Sequence, residues 1–288
     1  MLIGELARAK VNLTLAVLGR RTDGYHELES LVTFAATSDV VTIETDAAEE
    51  LTISGPSARS IVGENLLSRT IALLRAADRR LSIGSVHVDK KLPVAAGLGG
   101  GSADVAALLR AIRRANPERA KAIPWADIAA VLGSDVPVCF ADHPALIWGR
   151  GERMSLVPFL PAMDAVVVNP RLPLATASVF AALKSGPAPP AVAAPAQPQI
   201  VSVAGLLDYM RARGNDLEPP ACELLPVIVE IKSQLAAQPD CRFAGMSGSG
   251  PTCFGIFSSP ASARHAAAAI AAARPEWWVE PTILDGAP

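Results

Sequence analysis

Four glycines in five positions, Gly97-Leu98-Gly99-Gly100-Gly101, interrupt the chain between a segment of strand character and one of helix character. Ahead of them Val86-His87-Val88 reads as a strand, and Lys90-Lys91-Leu92-Pro93 leads out of it. After them, Ala103–Ala115 sets Val105, Leu108, Leu109 and Ile112 at the i, i+3, i+4, i+7 spacing of a helix buried on one side. A plain strand-to-helix turn needs one or two glycines. A run of this density lets the backbone approach a ligand closely and turns successive N–H groups inward. The helix that follows adds the positive end of its dipole, so Pro93–Asp104 reads as a phosphate cradle. Ser102 either caps that helix or reaches a phosphate or its magnesium.

The cradle is not one of the familiar local patterns. There is no G-x-x-x-x-G-K-[ST], so it is not a Walker A loop. The spacing Gly97-x-Gly99-x-x-Ser102 lacks the third glycine of the dinucleotide fingerprint, and the Val-Ala-Ile-Lys and His-Arg-Asp context of protein kinases is absent. A second glycine-rich stretch, Gly245-Met-Ser247-Gly248-Ser249-Gly250-Pro251-Thr252, precedes a strand. It suggests a loop closing on a site, although a β-turn explains it about as well.

Around these loops the chain alternates strands and helices in both halves, which predicts an α+β fold. Val11, Leu13, Leu15 and Val17 alternate as in a strand with one buried face; Val40–Glu44, Leu51–Ser54 and Thr252–Phe257 read as further strands. Helices are expected over Asn65–Ala77, Val203–Arg213, Leu224–Ala237 and the alanine-rich Ala261–Ala273. Ser185–Gln199, dense in proline and alanine, is expected to be an exposed loop or linker of polyproline character.

Composition narrows the function classes. At 288 residues the chain has room for two domains. Lys and Arg total 26 against 28 Asp and Glu, a net charge of −2 that argues against a nucleic-acid partner. The positive mean hydropathy of +0.32 comes from alanine; no stretch approaches the roughly 18 apolar residues of a membrane span. The apolar stretch Val11–Leu18 holds Asn12 and Thr14 and runs into Arg20-Arg21, so it fails as a signal peptide. Cys139, Cys222, Cys241 and Cys253 form no C-x-x-C pair and read as reduced thiols of a cytoplasmic protein. His26, His87, His143 and His265 are isolated, which argues against a protein-built zinc site.

The cradle P-x-x-x-G-L-G-G-G-S-A resembles the central motif of the GHMP small-molecule kinases, the family of galactokinase, homoserine kinase and mevalonate kinase, and Gly245–Thr252 resembles their C-terminal glycine-rich motif. Ala9-Lys10-Val-Asn12-Leu, then Gly19-Arg20-Arg21-Thr-Asp23-Gly24-Tyr25-His26-Glu27-Leu28, resembles one branch whose acceptor is a polyol carried on cytidine diphosphate. Leu132-Gly133-Ser134-Asp135-Val136-Pro137 and Gly214-Asn215-Asp216-Leu217-Glu218 fit the same branch. The Asp-Gly-Tyr-His-Glu-Leu run ranks a homoserine- or mevalonate-type kinase well below it. Presence of Lys10 and Asp135 argues against a non-catalytic module on the same fold.

That resemblance carries expectations. The fold would be a two-domain GHMP fold: residues 1–155 a ribosomal protein S5 domain 2-like ATP-binding and catalytic domain, residues 156–288 a ferredoxin-like substrate-binding domain. The reaction would pass the γ-phosphoryl of ATP to the 2-hydroxyl of a methylerythritol unit, in the non-mevalonate route to isoprenoids. Asp135 would accept or orient the hydroxyl proton, and Lys10 would keep Asp135 ionised and offset developing charge. Pro93, Val94, Ala95, Ala96, Gly97, Leu98, Gly99, Gly100, Gly101, Ser102 and Ala103 would hold the phosphates, with Asn65 and Leu66 at the ATP base. Tyr25 would stack on the pyrimidine, His26 would bond its edge and Phe180 would form the other face of the clamp, with Thr176 nearby. Asn12 would contact the diphosphate–polyol end. ATP and Mg2+ are implied, no metal ligand stands out, and the enzyme would act on small molecules alone as a monomer or weak homodimer, without nucleic acid or membrane.

Overall fold

The computed structural model describes residues 1–58, 66–94, 96–190 and 192–285. Two expected site residues, Asn65 and Ala95, lie outside the described residues. In chain order the strands are β1 (Leu2–Asn12), β2 (Ala16–Arg20), β3 (His26–Glu44), β4 (Leu51–Ser54), β5 (Ser85–Asp89), β6 (Ala145–Gly149), β7 (Arg153–Leu156), β8 (Met163–Asn169), β9 (Cys241–Met246), β10 (Cys253–Phe257) and β11 (Trp278–Asp285). The helices are α1 (Leu66–Ala77), α2 (Gly100–Ala115), α3 (Trp125–Leu132), α4 (Val136–Ala141), α5 (Thr176–Ala182), α6 (Val203–Arg213), α7 (Glu218–Leu224), α8 (Val227–Ala236) and α9 (Pro260–Ala273). They pack as two compact units, each assembled from separate stretches of chain: Met1–Ala9, Ser38–Val94 and Gly99–Asp142 in the first, Lys10–Thr37, Ala95–Leu98 and His143–Pro288 in the second.

In the first unit the far half of β3 pairs antiparallel with β5, Val41 opposite Val88, and β4 pairs parallel with β5, Leu51 opposite Val86. Val86 and Val88 are buried while His87 between them is exposed, the period-2 pattern of a strand with one covered face. Helix α2 packs against α1, α3 and α4. Its Val105, Leu108, Leu109 and Ile112 are fully buried, each such side chain contributing about 1.5–3 kcal/mol of transfer free energy.

The second unit contains the order β8, α8, β9, β10, α9, β11, with an antiparallel sheet β11-β8-β10-β9. Counting strands along the chain, that is fourth-first-third-second, the order of a ferredoxin-like layer. Helix α8 lies on β9 and β10, and α9 on β8, β10 and β11. Their contact face is apolar: Ile228, Ile231 and Leu235 from α8, Ala263, Ala266 and Ile270 from α9, against Val166 and Val168. Small alanines let α9 approach closely, as its composition suggests. The near half of β3 pairs with β2 and β6, and at Ala35 it meets Leu284 of β11.

Several sequence expectations are corrected here. The stretch read as one alternating strand is β1, a bend at Leu13–Thr14, then β2; burial is continuous from Ala7 to Leu15, so alternation carries no information there. The bend is held by the amides of Leu13 and Thr14, both donated to Leu31 O. Helix α2 begins inside the glycine run, at Gly100. The helix expected over Leu224–Ala237 is α8, which starts later, at Val227 after the N-cap Pro226, while Leu224 ends a separate helix, α7, that the sequence reading does not name. The proline-rich segment is not simply a free loop or linker: Gly186 O accepts from Arg20 N (2.7 Å) and Ala188 N donates to Arg20 O (2.8 Å), so it begins by pairing alongside Arg20, the last residue of β2.

Candidate active site

The first unit presents the helix end of the glycine run. Gly99 caps α2 in the left-handed region (φ 64°) and brings no side-chain hydrogen bond. The first helical bond is Ala103 N to Gly99 O (2.8 Å), so the amides of Gly100, Gly101 and Ser102 have no helical acceptor. Ser102 stands third in the helix and is not its cap, which removes the plain structural account of its hydroxyl. Gly100 and Gly101 present no side chain there; Leu92 and Ala103 are buried anchors on either side.

In the same unit, Gly133-Ser134-Asp135 leads into α4. Asp135 occupies the N-cap position of that short helix (φ −85°), yet its carboxylate makes no capping bond. Half-buried Leu66 opens α1 and lies in ordinary contact range of a side chain placed at Gly101 (3.9 Å).

The second unit carries the other functional side chains. Lys10 is 4% exposed, an inward lysine on a strand buried on both faces. Its Nζ donates to Asn12 Oδ1 (3.1 Å) and its backbone N to Leu98 O (2.9 Å). Asn12, equally buried, donates Nδ2 to Ser30 Oγ (2.7 Å) and its backbone N to Ser247 Oγ (3.1 Å).

Ser247 belongs to the second glycine-rich stretch, which runs from the end of β9 into β10. That stretch seizes the strand-side part of the first one. Ser247 Oγ donates to Gly97 O (3.1 Å), and Thr252 donates to Ala96 O through both Oγ1 (2.5 Å) and its backbone N (3.3 Å). A Cβ on Gly97 (φ +73°) would sit 2.6 Å from Gly250 O and 2.9 Å from Ser247 O, so only glycine fits. Asn215 supports the stretch from below, donating Nδ2 to Met246 O and Gly248 O (2.9 Å each). Thr252 is itself positioned by Asn169 Nδ2 (2.8 Å). Sequence reasoning assigned no role to Asn169, Ser247 or Thr252; only the glycine density of their neighbours marked the region.

The aromatic group lies on the β2–β3 turn and α5. Tyr25 is 58% exposed, a large ring offered to solvent, and the Arg150 guanidinium lies over it at 5.1 Å from the centroid. His26 stacks on Phe180, centroids 4.6 Å apart and planes at 23°. The structure therefore pairs the expected edge-reader with the expected second wall and leaves Tyr25 apart from both. Burial, then the charge of Arg20, pushes the His26 imidazole below its ordinary value and keeps it neutral, able both to donate and to accept. Thr176, at the start of α5, is exposed and shares a hydrogen bond with Ser249 of the second glycine-rich stretch (2.9 Å). Pro93 is half-buried, Val94 exposed, and Ala96 and Leu98 are buried beneath the loop.

The family model for the GHMP kinase N-terminal domain matches residues 65–150, and that for the GHMP kinase C-terminal domain matches residues 199–276. A 4-diphosphocytidyl-2-C-methyl-D-erythritol kinase of Rhodopseudomonas palustris is 46% identical over 97% of this chain and 96% of its own. One from Dinoroseobacter shibae is 43% identical over 98% and 95%. A crystal structure of 4-(cytidine 5'-diphospho)-2C-methyl-D-erythritol kinase superposes with a TM-score of 0.78 at 34% identity, covering 99% of this chain and all of the other. Homoserine kinase from Cytophaga hutchinsonii, at 16% identity and a TM-score of 0.68 over 99% of this chain and 96% of its own, shares the fold.

Proposed function

The chain belongs to the GHMP kinase family, on the branch formed by the 4-diphosphocytidyl-2-C-methyl-D-erythritol kinases, and from that premise we propose that it moves the γ-phosphoryl group of ATP onto the 2-hydroxyl of that branch's acceptor. It is an ATP-dependent kinase of isoprenoid biosynthesis; the hydroxyl and the residue roles are the proposal. The observation that carries it is the start of α2. Three helix-end amides follow a glycine run with no side chain capping them, the arrangement that holds phosphate by dipole and hydrogen bond together.

Phosphoryl transfer asks the protein for positioning and charge compensation more than for covalent chemistry. The amides of Gly100–Ser102 hold the phosphates of ATP. Asp135 accepts the proton of the attacking hydroxyl, consistent with a helix-end carboxylate that does not cap its own helix. Lys10 offsets negative charge growing on the transferring oxygens, and Asn12, which fixes the Lys10 ammonium, faces the diphosphate–polyol end of the acceptor. At the cytidine end, Tyr25 takes a face of the base and neutral His26 bonds its edge, while Phe180 backs the His26 ring. Leu66 borders the ATP base, and Thr176 flanks the cytidine.

Magnesium fits this arrangement as an ion carried in on the nucleotide. Among the described residues, no group of three or more His, Cys, Asp and Glu side chains gathers to hold one; the Ser102 hydroxyl, standing in the first turn of α2, is the group we assign to it. When bound, the ion offsets charge on the phosphate oxygens. None of the helices among the described residues is long and apolar enough to cross a membrane, and we place the work in the cytoplasm, by a monomer or weak homodimer.

A three-acceptor assay tests the reading. ATP consumption should depend on the cytidine-diphosphate polyol and stay at background with homoserine or mevalonate. Loss of the base in Asp135→Ala should lower kcat by about 10²–10⁴ with the fold intact by circular dichroism; turnover at the wild-type rate would remove Asp135 from the mechanism.

A further inference from the structure

The proposed chemistry leaves unused a cluster of three buried charges in the first unit. Lys90, just past β5, is 4% exposed; Asp39 of β3 is 0% and Asp104 of α2 is 5%. The Lys90 ammonium donates to Asp104 Oδ2 (2.6 Å) and to Asp39 Oδ2. The other oxygen of Asp39 accepts two backbone amides, Lys91 N (2.5 Å) and Leu92 N (2.8 Å). Asp104 Oδ1 is buried and has no hydrogen-bond partner in the structure.

As a device for stability alone this is a poor choice. Desolvating charges costs more than apolar packing, and two carboxylates against one ammonium leave the cluster one negative charge in excess. Burial pushes the Asp104 carboxyl up to about 7, a direct sign of that cost. Lys90 is raised although burial works against its charge, because both carboxylates favour the ammonium. What the three residues join is more telling. Asp39 holds the backbone where the glycine loop starts, Asp104 sits one turn into the helix where it ends, and Lys90 ties one to the other.

We propose that Asp39, Lys90 and Asp104 are positioning residues for the nucleotide, setting the loop start against the first turns of α2 so that the amides of Gly100–Ser102 hold the pose ATP phosphates need. The inference rests on the reading that this loop binds ATP. None of the three touches the reacting atoms; they act through the backbone.

The test compares two isosteric variants. In Asp39→Asn an NH2 group must face either the two amides or the Lys90 ammonium, so the clamp opens. In Asp104→Asn one oxygen remains for Lys90 without its charge, so the clamp loosens but does not open. Dissociation constants of a non-hydrolysable ATP analogue and of cytidine diphosphate are measured by calorimetric titration on the full chain, with Tm alongside. For Asp39→Asn the ATP analogue should bind about tenfold more weakly or worse, while cytidine diphosphate stays within about twofold. For Asp104→Asn, which keeps an oxygen for Lys90 but loses the charge, the analogue should weaken by about two- to threefold, less than for Asp39→Asn. A purely structural role predicts a lower Tm with both ligands unaffected, or both weakened in parallel, and either result overturns the inference. Wild-type protein that binds cytidine diphosphate but no ATP analogue would instead overturn the nucleotide reading of the loop, and this inference with it.

Discussion

Tyr25 and His26 are neighbours in sequence with opposite environments. Tyr25 is 58% exposed beneath Arg150, and His26 is tucked against Phe180. The guanidinium stiffens a ring that has little else to hold it; an exposed cation–π contact contributes about 0.5–1 kcal/mol. Arg150→Ala should therefore raise KM for the cytidine acceptor by about two- to fivefold with kcat unchanged, read from steady-state kinetics. His26 makes a prediction in pH. Its proton affinity is lowered by burial and by Arg20, so the ring takes up its proton below the ordinary imidazole value of about 6.5. On acidification the rise in acceptor KM should be centred below 6.5, and a rise centred at or above 6.5 would contradict a neutral edge-reader. The Gly-Tyr-His motif was legible as a sequence; which ring would meet which was not, because Phe180 arrives from a helix more than 150 residues away. Lys10 shows the limit of periodicity. Alternation alone would turn it outward, and only its Ala-Lys-Val-Asn context marked it as functional. The structure supplies the reason: Ala7 to Leu15 are buried on both faces.

Helix α2 and its loop were legible because their signal is local: a glycine run, a strand before it, apolar residues at helical spacing after it. Helix α6 was expected over Val203–Arg213 and occupies those residues. Strand β8 passed unnoticed because Ala165, Val166, Val167 and Val168 are all buried, giving an apolar run without the alternation of a half-exposed strand. The cluster of Asp39, Lys90 and Asp104 has no local signal at all, since its members come from three elements. The segment after α5 illustrates how composition can mislead. Proline and alanine describe its middle correctly as irregular, but its first residues pair with β2. Ala188→Pro removes the donor to Arg20 O and should cost about 1 kcal/mol, seen as a lower Tm, whereas Ala193→Pro, in the exposed part, should leave Tm within error. In the second glycine-rich stretch, Thr252→Val deletes a hydroxyl that both donates to Ala96 O and accepts from Asn169. The buried partners left behind should cost about 1–3 kcal/mol on denaturant unfolding.

At the scale of the whole chain, the α+β class was legible in the mix of strands and helices and the ferredoxin-like layer only through the family resemblance, while the packing does not divide the chain at one point. A sequence reading draws one boundary near residue 155; the packing gathers each unit from several stretches, with the long β3 contributing to both. Such interleaving leaves no composition shift to read where two of the crossings fall within strands, at Ala9–Lys10 of β1 and Thr37–Ser38 of β3. The thiols give a test at this scale. None of the four cysteines is in a disulfide, Cys139 and Cys253 are buried, and burial pushes the Cys253 thiol far up. Tm should be the same with and without reductant, and a thiol reagent should reach Cys253 only on unfolding. The meeting of Gly97 with Gly250 carries a different kind of consequence. A side chain at Gly97 would meet backbone of the other loop, Gly250 O and Ser247 O, so the steric conflict cannot be relieved by trimming its neighbour, which is already glycine. A selection for second-site suppressors of Gly97→Ala should thus return true revertants and no compensating change at Gly250. The two loops, some 150 residues apart, would then be inherited as one indivisible unit.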